Sequence, residues 1–211
     1  MPDLTLAQTR DMFIYVAEGI QANTDLLTQA DKAIGDGDHG LGMARGFAAA
    51  QRSLAGRSFV GLDELLQAIA ATLMTSVGGA AGAIFATFFR GGARNLAGRQ
   101  RFDAAALADM LSDGLRAVVE RGKAQPGDKT AVDALAPAAQ RAMELRFASL
   151  AEALDGATAA AQEGVEATKA MVARVSKAKT LGERSLGYPD PGALSAYLIL
   201  KLMSEYVGGM Q

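Results

Sequence analysis

The chain has no cysteine among its 211 residues, and its single histidine is His39. Without cysteine it can form neither a disulfide framework nor a thiolate zinc site, and thiol catalysis is excluded. This composition fits a reducing compartment. The formal net charge is -2 and no basic block stands out, which argues against nucleic acid as the main partner.

Targeting and membrane signals are also scarce. Residues 1–4 lack the basic start and apolar run of a signal peptide, so we expect a cytoplasmic protein. No charge occurs from residue 65 to residue 89, a stretch long enough to span a bilayer, and Gly78 and Gly82 form a small-xxx-small pair. However, the large residues before Gly78 follow one helical stripe, and the adjacent Gly78 and Gly79 then interrupt the run. The pattern favours two buried helices joined by a glycine turn, with no membrane span.

What the sequence does contain is helical periodicity nearly everywhere. Half of the residues are hydrophobic, and apolar residues recur at steps of three and four, as in Leu107, Leu111 and Leu115. Residues 57–60 are the only short strand candidate, and we interpret them as loop. We predict eight helices, near residues 5–30, 40–54, 62–77, 80–97, 103–121, 130–147, 149–177 and 191–207. Short loops make neighbours antiparallel, so we expect residues 1–211 to form one all-α domain, an up-and-down bundle.

The segment 31–40, DKAIGDGDHG, is the most unusual part of the chain. It holds three carboxylates, Asp31, Asp36 and Asp38, interleaved with three glycines. Like charges this close repel each other unless a cation offsets them, and glycines let the backbone fold tightly enough for the carboxylates to converge. Carboxylate oxygens without cysteine suit a hard cation, so the loop predicts a Mg²⁺ site.

Other interpretations of this loop fare differently. The spacing of Gly35, Gly37 and Gly40 matches a dinucleotide fingerprint, but no strand precedes it and its intervening acids would repel a pyrophosphate. An EF-hand fails because Phe47 stands where a glutamate ligand is needed. A solvated acidic turn is the alternative that the residues alone leave open.

Two glycine-rich loops follow. The segment 78–82, GGAAG, opens a helix and so directs backbone N–H groups and the positive end of a helix dipole toward an anion such as phosphate. Taken alone, it is better explained by a close helix crossing. In the segment 122–130, Asp128 or Thr130 can cap the next helix, and Lys129 is placed to meet a phosphate, although the spacing of a P-loop is missing.

The last unusual loop is 182–192, where Arg184 lies between glycines and offers donors to an anion. Asp190 followed by Pro191 predicts a capped helix start. Helix starts at one end of an antiparallel bundle would gather these loops into a metal and phosphate mouth.

The four segments AIGDGDHG, SVGGAAGAIFATFF, RGKAQPGDKT and LGERSLGYPDPGA, in this order, resemble signatures of the nucleotide-binding L subunit of dihydroxyacetone kinases, the DhaL family. The resemblance covers residues 4–207. It implies an eight-helix barrel of antiparallel helices with the nucleotide site at one end.

For the site, the resemblance implies that Asp31, Asp36 and Asp38 hold two Mg²⁺ ions that bridge the phosphates of ADP or ATP. It implies further nucleotide contacts along the chain, near the phosphates, beside the adenine and at the closing loop: His39, Gly40, Leu41, Gly42, Ala80, Ala81, Gly122, Ala131, Lys177, Asp190, Pro191 and Gly192. No general base emerges, which suits phosphoryl transfer, since that reaction depends on positioning and charge neutralisation.

The family function is transfer of a phosphoryl group to dihydroxyacetone, which a histidine on a separate K subunit holds covalently. The resemblance favours ADP as a bound cofactor, rephosphorylated by a phosphohistidine carrier protein of the sugar phosphotransferase system. An ATP-using kinase subunit for another small sugar or acceptor, and a non-catalytic metal-binding helical scaffold, are the alternatives. A homodimer remains open.

Overall fold

The structure, a computed structural model, describes residues 3–210 and confirms the all-α class. Within that range, nine α-helices are α1 (Leu6–Ala22), α2 (Thr24–Ile34), α3 (His39–Leu54), α4 (Leu62–Ser76), α5 (Gly79–Gly92), α6 (Ala104–Gly122), α7 (Val132–Glu144), α8 (Leu150–Thr168) and α9 (Pro191–Gly208). Two 3-10 segments cover Arg94–Leu96 and Lys177–Ser185. Two short strands, β1 (Leu4–Thr5) and β2 (Arg101–Phe102), pair antiparallel.

Eight of the helices form a closed ring. Following the chain from α3, each helix packs on the next as far as α9, α9 packs on α1, and α1 packs on α3. The helix α2 stands outside this ring and packs mainly on α3. The predicted barrel of eight antiparallel helices is therefore confirmed, with α2 as an addition to it.

The core lies between these helices and is formed mostly by alanine, leucine and phenylalanine. Phe89 is fully buried and meets two other rings edge-on, Phe13 with ring centroids 5.8 Å apart and Phe88 at 5.3 Å. The charge-free stretch forms α4 and α5, with Gly78 at the turn between them, as predicted. Among the described residues, none of the helices combines the length and apolar character that a bilayer crossing requires.

Several predicted boundaries were wrong. The predicted helix 5–30 is two helices, because the chain turns at Asn23, whose side-chain amide donates to the Gly19 carbonyl at 2.8 Å. The predicted helix 149–177 ends at Thr168, where the carbonyl accepts a hydrogen bond from a lysine side chain. The predicted helix 80–97 ends at Gly92, and the strand pair was missed because each strand has only two residues.

Helix direction alternates around the ring, and this determines which loops lie at the same end of the barrel. The first residues of α3, α5, α7 and α9 lie at one end, together with the last residues of α1, α4, α6 and α8; we call this end the mouth. The other end, where β1 pairs with β2, we call the closed end. All four loops singled out in the sequence lie at the mouth.

Candidate functional site

The three predicted metal ligands come together at the mouth. Carboxylate oxygens of Asp31, Asp36 and Asp38 all lie within 4.8 Å of one another. Asp31 is in the last turn of α2 and is buried, whereas Asp36 and Asp38 are exposed in the turn before α3. Gly37 reverses the chain between them with a φ of 79°, which favours glycine. An all-oxygen set with one buried and two accessible carboxylates fits a hard cation such as Mg²⁺.

Asp31 also fixes the start of α3. Its Oδ2 accepts a hydrogen bond from the backbone N–H of His39 at 3.1 Å. The His39 ring is buried, and its Nε2 lies 2.7 Å from Ser195 Oγ in α9. Burial lowers the pKa of His39, against the raising effects of Asp31, Asp38 and the Pro191 carbonyl. The imidazole therefore links the acidic loop to α9.

The neighbouring positions 40–42 have different surroundings. A Cβ on Gly40 would lie 2.5 Å from the Thr28 backbone nitrogen, and one on Gly42 would lie 2.9 Å from the Val77 carbonyl oxygen. Both glycines therefore let α3 pack closely on α2 and on the end of α4. Leu41, between them, is 61% exposed, so its side chain is accessible to a ligand.

The start of α5 is an open helix terminus. Gly78 and Gly79 have positive φ angles of 82° and 58°, and no side chain of the described residues caps the helix. Arg45 holds the turn from behind, donating through Nη2 to the Val77 carbonyl and through Nε to the Ser76 carbonyl, each at 2.7 Å. Ala80 and Ala81 lie in the first turn, exposed and half-buried. Their end of the helix offers free N–H groups and partial positive charge to an anion.

The predicted adenine and closing residues lie on α6, α7 and α9. Gly122 ends α6 and is exposed, and a Cβ there would lie 3.4 Å from Ile84 Cδ1 of α5. Ala131 and Gly192 are neighbours, since a Cβ on Gly192 would lie 3.3 Å from the Ala131 Cβ. Lys177 begins a 3-10 segment, and its side chain lies outside the part that the structure describes.

Asp190 caps α9 as predicted, and its Oδ2 accepts from the Ala193 N–H at 2.8 Å. Pro191 follows at the first position of the helix. The Asp190 carboxyl is buried, and burial raises its pKa to about 7, with a smaller raising effect from Asp133. The Ala193 N–H and the Lys129 charge act in the opposite direction.

The prediction that Lys129 meets a phosphate is wrong. Its side chain is only 1% exposed, and its ammonium donates to two backbone carbonyls, those of Thr168 and Tyr188, each at 2.6 Å. Arg184, in contrast, is exposed and stays available to an anion.

Sequence reasoning missed three residues that organise the site: Ser195, Arg45 and Asp133. Asp133 accepts hydrogen bonds from the Gly127 N–H at 2.6 Å and the Thr130 N–H at 2.8 Å, and so shapes the loop before α7. A threonine followed three residues later by an acid is a capping signal, so Asp133 was detectable. Ser195 and Arg45 carry no comparable local signal, because their partners are remote in the sequence.

Comparison with known proteins identifies the family of this chain. Residues 33–205 match the family model of the DAK2 domain. The ADP-binding subunit DhaL of the PEP-dependent dihydroxyacetone kinase of Escherichia coli (strain K12) is 38% identical over 183 residues, which cover 86% of this chain and 87% of that protein. The ADP-binding subunit DhaL of the PTS-dependent enzyme of Lactococcus lactis is 32% identical over 204 residues, covering 97% and 99%.

A solved structure supports the fold. The crystal structure of the dihydroxyacetone kinase from C. freundii in complex with AMP-PNP and Mg²⁺ superimposes with a TM-score of 0.75 at 24% identity, over 97% of this chain and 35% of that one. The relatives, which are named as kinase subunits, define the class as phosphotransferases. Within that class, the chain belongs to the DhaL family of DAK2-domain kinase subunits.

Proposed function

We propose that this chain is the nucleotide- and Mg²⁺-binding subunit of a dihydroxyacetone kinase. The observation that carries the proposal is the convergence of Asp31, Asp36 and Asp38 within 4.8 Å at the end of the barrel where α5 begins without a side-chain cap. A carboxylate trio beside an open helix start combines the two features that hold a metal-bound phosphate. The names of the E. coli and L. lactis relatives, both ADP-binding subunits, support it.

In this proposal the three carboxylates would hold Mg²⁺, two ions by family analogy, and the metal supplies neutralisation of phosphate charge. The first-turn N–H groups of α5, around Ala80 and Ala81, donate to phosphate oxygens. Asp31 keeps its second task, holding the His39 N–H, so metal binding and the start of α3 are coupled. Gly122 and Ala131 flank the adenine, Lys177 contributes a basic contact, and residues 190–192 close the site.

The acceptor has to come from a partner. The described residues contain one histidine, and its ring is buried, with Nε2 against Ser195 Oγ and a hydrogen bond to the Pro191 backbone, so it is not exposed to hold a sugar. We therefore propose that dihydroxyacetone is presented by a separate K subunit. Positioning and charge neutralisation are what this chain supplies to the transfer.

For the phosphoryl donor, we propose that ADP stays bound and is rephosphorylated by a phosphohistidine carrier protein of the phosphotransferase system. The similarity to PEP-dependent and PTS-dependent subunits over most of both chains supports this mode. Exchange of ATP as an ordinary substrate is the competing mode.

Calorimetric titration of ADP and ATP, with and without Mg²⁺, tests the proposal on the wild type and on Asp36→Ala. We expect Mg²⁺-dependent ADP binding that the substitution abolishes. The matched control is Asp25→Ala, which removes the same charge from an exposed position in the first turn of α2 and should bind ADP like the wild type. ADP that survives purification supports the carrier-fed mode. A wild type that binds no nucleotide contradicts the proposal and leaves a helical scaffold.

A further inference from the structure

Lys129 lies in the loop between α6 and α7, and its backbone conformation is unfavourable for a lysine. Its φ is 62°, in the left-handed region that glycine adopts without strain and that a lysine adopts at a cost. Its side chain is among the largest that are fully buried in the described residues. Glycine would suit this backbone better than lysine does. The presence of a buried lysine is therefore best explained by what its side chain contacts.

The reason is a three-way connection. The ammonium donates at 2.6 Å to the carbonyl of Thr168, the last residue of α8, and at 2.6 Å to the carbonyl of Tyr188, two residues before the cap of α9. Hydrogen bonds from a charged donor are stronger than neutral ones, and a carbonyl at a helix C-terminus is a favourable acceptor for a cation. One side chain thus joins the α6–α7 loop, the end of α8 and the approach to α9.

Hydrogen bonds between neutral groups join the same segments. The Gly187 N–H donates to the Lys169 carbonyl at 2.8 Å, and the Arg174 N–H donates to the Asp128 carbonyl at 3.2 Å. The Asp190 N–H donates to Thr168 Oγ1 at 3.0 Å. The long connection 169–190 is therefore folded back on α8 and on the 128–130 loop, with the ammonium of Lys129 at the junction.

The charge of Lys129 has defined surroundings. Burial lowers the pKa of Lys129, and the nearby carboxyls of Asp190 and Asp133 act to raise it. Asp190 caps α9 and Asp133 shapes the loop before α7. The lysine therefore lies between the two loops whose ends, Ala131 and Gly192, are in contact.

We propose that Lys129 is a positioning residue for the nucleotide: its ammonium holds the connection 169–190 so that Asp190, Pro191 and Gly192 stand against Ala131. The effect on nucleotide binding rests on the proposed function, whereas the effect on the connection does not. The ammonium acts on backbone carbonyls and does not reach a phosphate.

Two variants separate this role from a turn requirement. Lys129→Met keeps the size of the side chain and removes the ammonium. Lys129→Gly removes both and relieves the backbone, so a residue needed only for the turn would tolerate it. The matched control is Lys169→Met, which removes a lysine ammonium from the same junction, where the Lys169 side chain is 41% exposed and pairs with Glu166 at 2.6 Å.

The first readout is amide hydrogen exchange by NMR without nucleotide. We expect both Lys129 variants to keep a cooperative unfolding transition and to exchange at least about tenfold faster at the Gly187 and Asp190 amides. The His39 amide, held by Asp31, should exchange as in the wild type. Lys169→Met should match the wild type at all three amides.

The second readout is Mg²⁺-dependent ADP affinity, which we expect to fall about tenfold or more in both Lys129 variants and to stay unchanged in Lys169→Met. Wild-type exchange and wild-type affinity in Lys129→Gly would overturn the proposal. Failure of both variants to fold would also overturn it, because the lysine would then serve the whole fold. If the wild type binds no ADP, the proposed function fails, while the exchange data still decide whether Lys129 holds the connection.

Discussion

The two ends of the barrel arrange their aspartates differently. At the closed end, Arg99 pairs with Asp103 at 2.7 Å and with Asp109 at 3.1 Å, and Arg101 pairs with Asp3 at 3.3 Å. At the mouth, three aspartates are held within 4.8 Å of one another. Opposite charges side by side stabilise a fold modestly, whereas like charges side by side oppose it. The cluster of three carboxylates in the acidic loop therefore points to a ligand and not to stability.

Helix starts differ in the same way. At the closed end, three of the four helix starts have a side-chain cap, made by Thr5 at α1, Asp103 at α6 and Ser149 at α8, whereas Gly61 before α4 makes none. Among the described residues at the mouth, α9 is the only one of the four helix starts whose N-cap side chain makes the capping bond. Capping satisfies N–H groups that otherwise remain free. Other side chains serve the starts of α3 and α7, where Asp31 accepts from the His39 N–H and Thr130 Oγ1 accepts from the Val132 N–H. The start of α5, whose N-cap is Gly78, leaves such groups for a bound anion.

Removing one carboxylate charge from the acidic loop should have the largest effect and tests the contrast between the two ends most directly. Asp38→Asn should lower Mg²⁺-dependent ADP affinity by about 100-fold or more, because a ligand oxygen loses its charge. The free energy of unfolding without Mg²⁺ should stay equal or rise, since like charges are relieved. Calorimetry and urea denaturation measure the two effects. A stability loss with unchanged affinity would mean that the trio is structural.

The acidic loop was predictable because its chemistry is local. Asp31, Asp36 and Asp38 lie within eight residues, and Gly37 between them signals the turn that brings them together. The gathering of the four loops at one end was also predictable, because antiparallel helices joined by short loops alternate in direction. The split at Asn23 did not follow, because the apolar pattern continues from α1 into α2.

Lys129 shows why the rest was not predictable. Its carbonyl partners lie 39 and 59 residues further along the chain, so the loop sequence gives no sign of where the side chain points. The same holds for the bond between His39 and Ser195, which are 156 residues apart. Motifs identify which residues can do chemistry, but contacts between remote segments decide which of them instead hold the site together.

The cap of α9 gives a pH test. The Asp190 pKa is raised from 3.8 to about 7, so between these values the folded state holds a proton that the unfolded state has lost, and stability should fall as pH rises. Asp190→Asn keeps an oxygen for the Ala193 N–H and removes that dependence. At pH 8 it should be more stable than the wild type by up to about 4 kcal/mol, the free energy that this pKa rise represents.

Urea denaturation of both proteins at pH 4 and pH 8 measures the effect, and the difference between them cancels the titration of other groups. Equal stability differences at the two pH values would show that the Asp190 pKa is the same in the folded and unfolded protein. The Ala193 N–H and the Lys129 charge would then offset the effect of burial on the pKa.

Packing at the mouth gives the next effect. Gly40→Ala should lower the free energy of unfolding by about 1–3 kcal/mol, because the added methyl group would lie 2.5 Å from the Thr28 backbone nitrogen and closer still to the Thr24 carbonyl. Gly208→Ala is the control, since a Cβ at that end of α9 meets nothing within 4 Å, and it should be neutral or slightly stabilising. Thermal unfolding compares the two. Equal melting temperatures would mean that α3 and α2 can separate without cost.

The smallest effect belongs to the closed end. Asp109→Asn weakens the ion pairs of Asp109 with Arg99 at 3.1 Å and with Arg146 at 3.7 Å. Because the Asp109 side chain is 23% exposed and the two arginines 31% and 36%, solvent screens these pairs, and the loss of unfolding free energy should be about 0.5–1 kcal/mol. ADP affinity should not change, since no part of this network lies at the mouth. A substantial loss of affinity here would break the comparison, because it would mean that charge pairing at the closed end sets the arrangement of ligands a barrel length away.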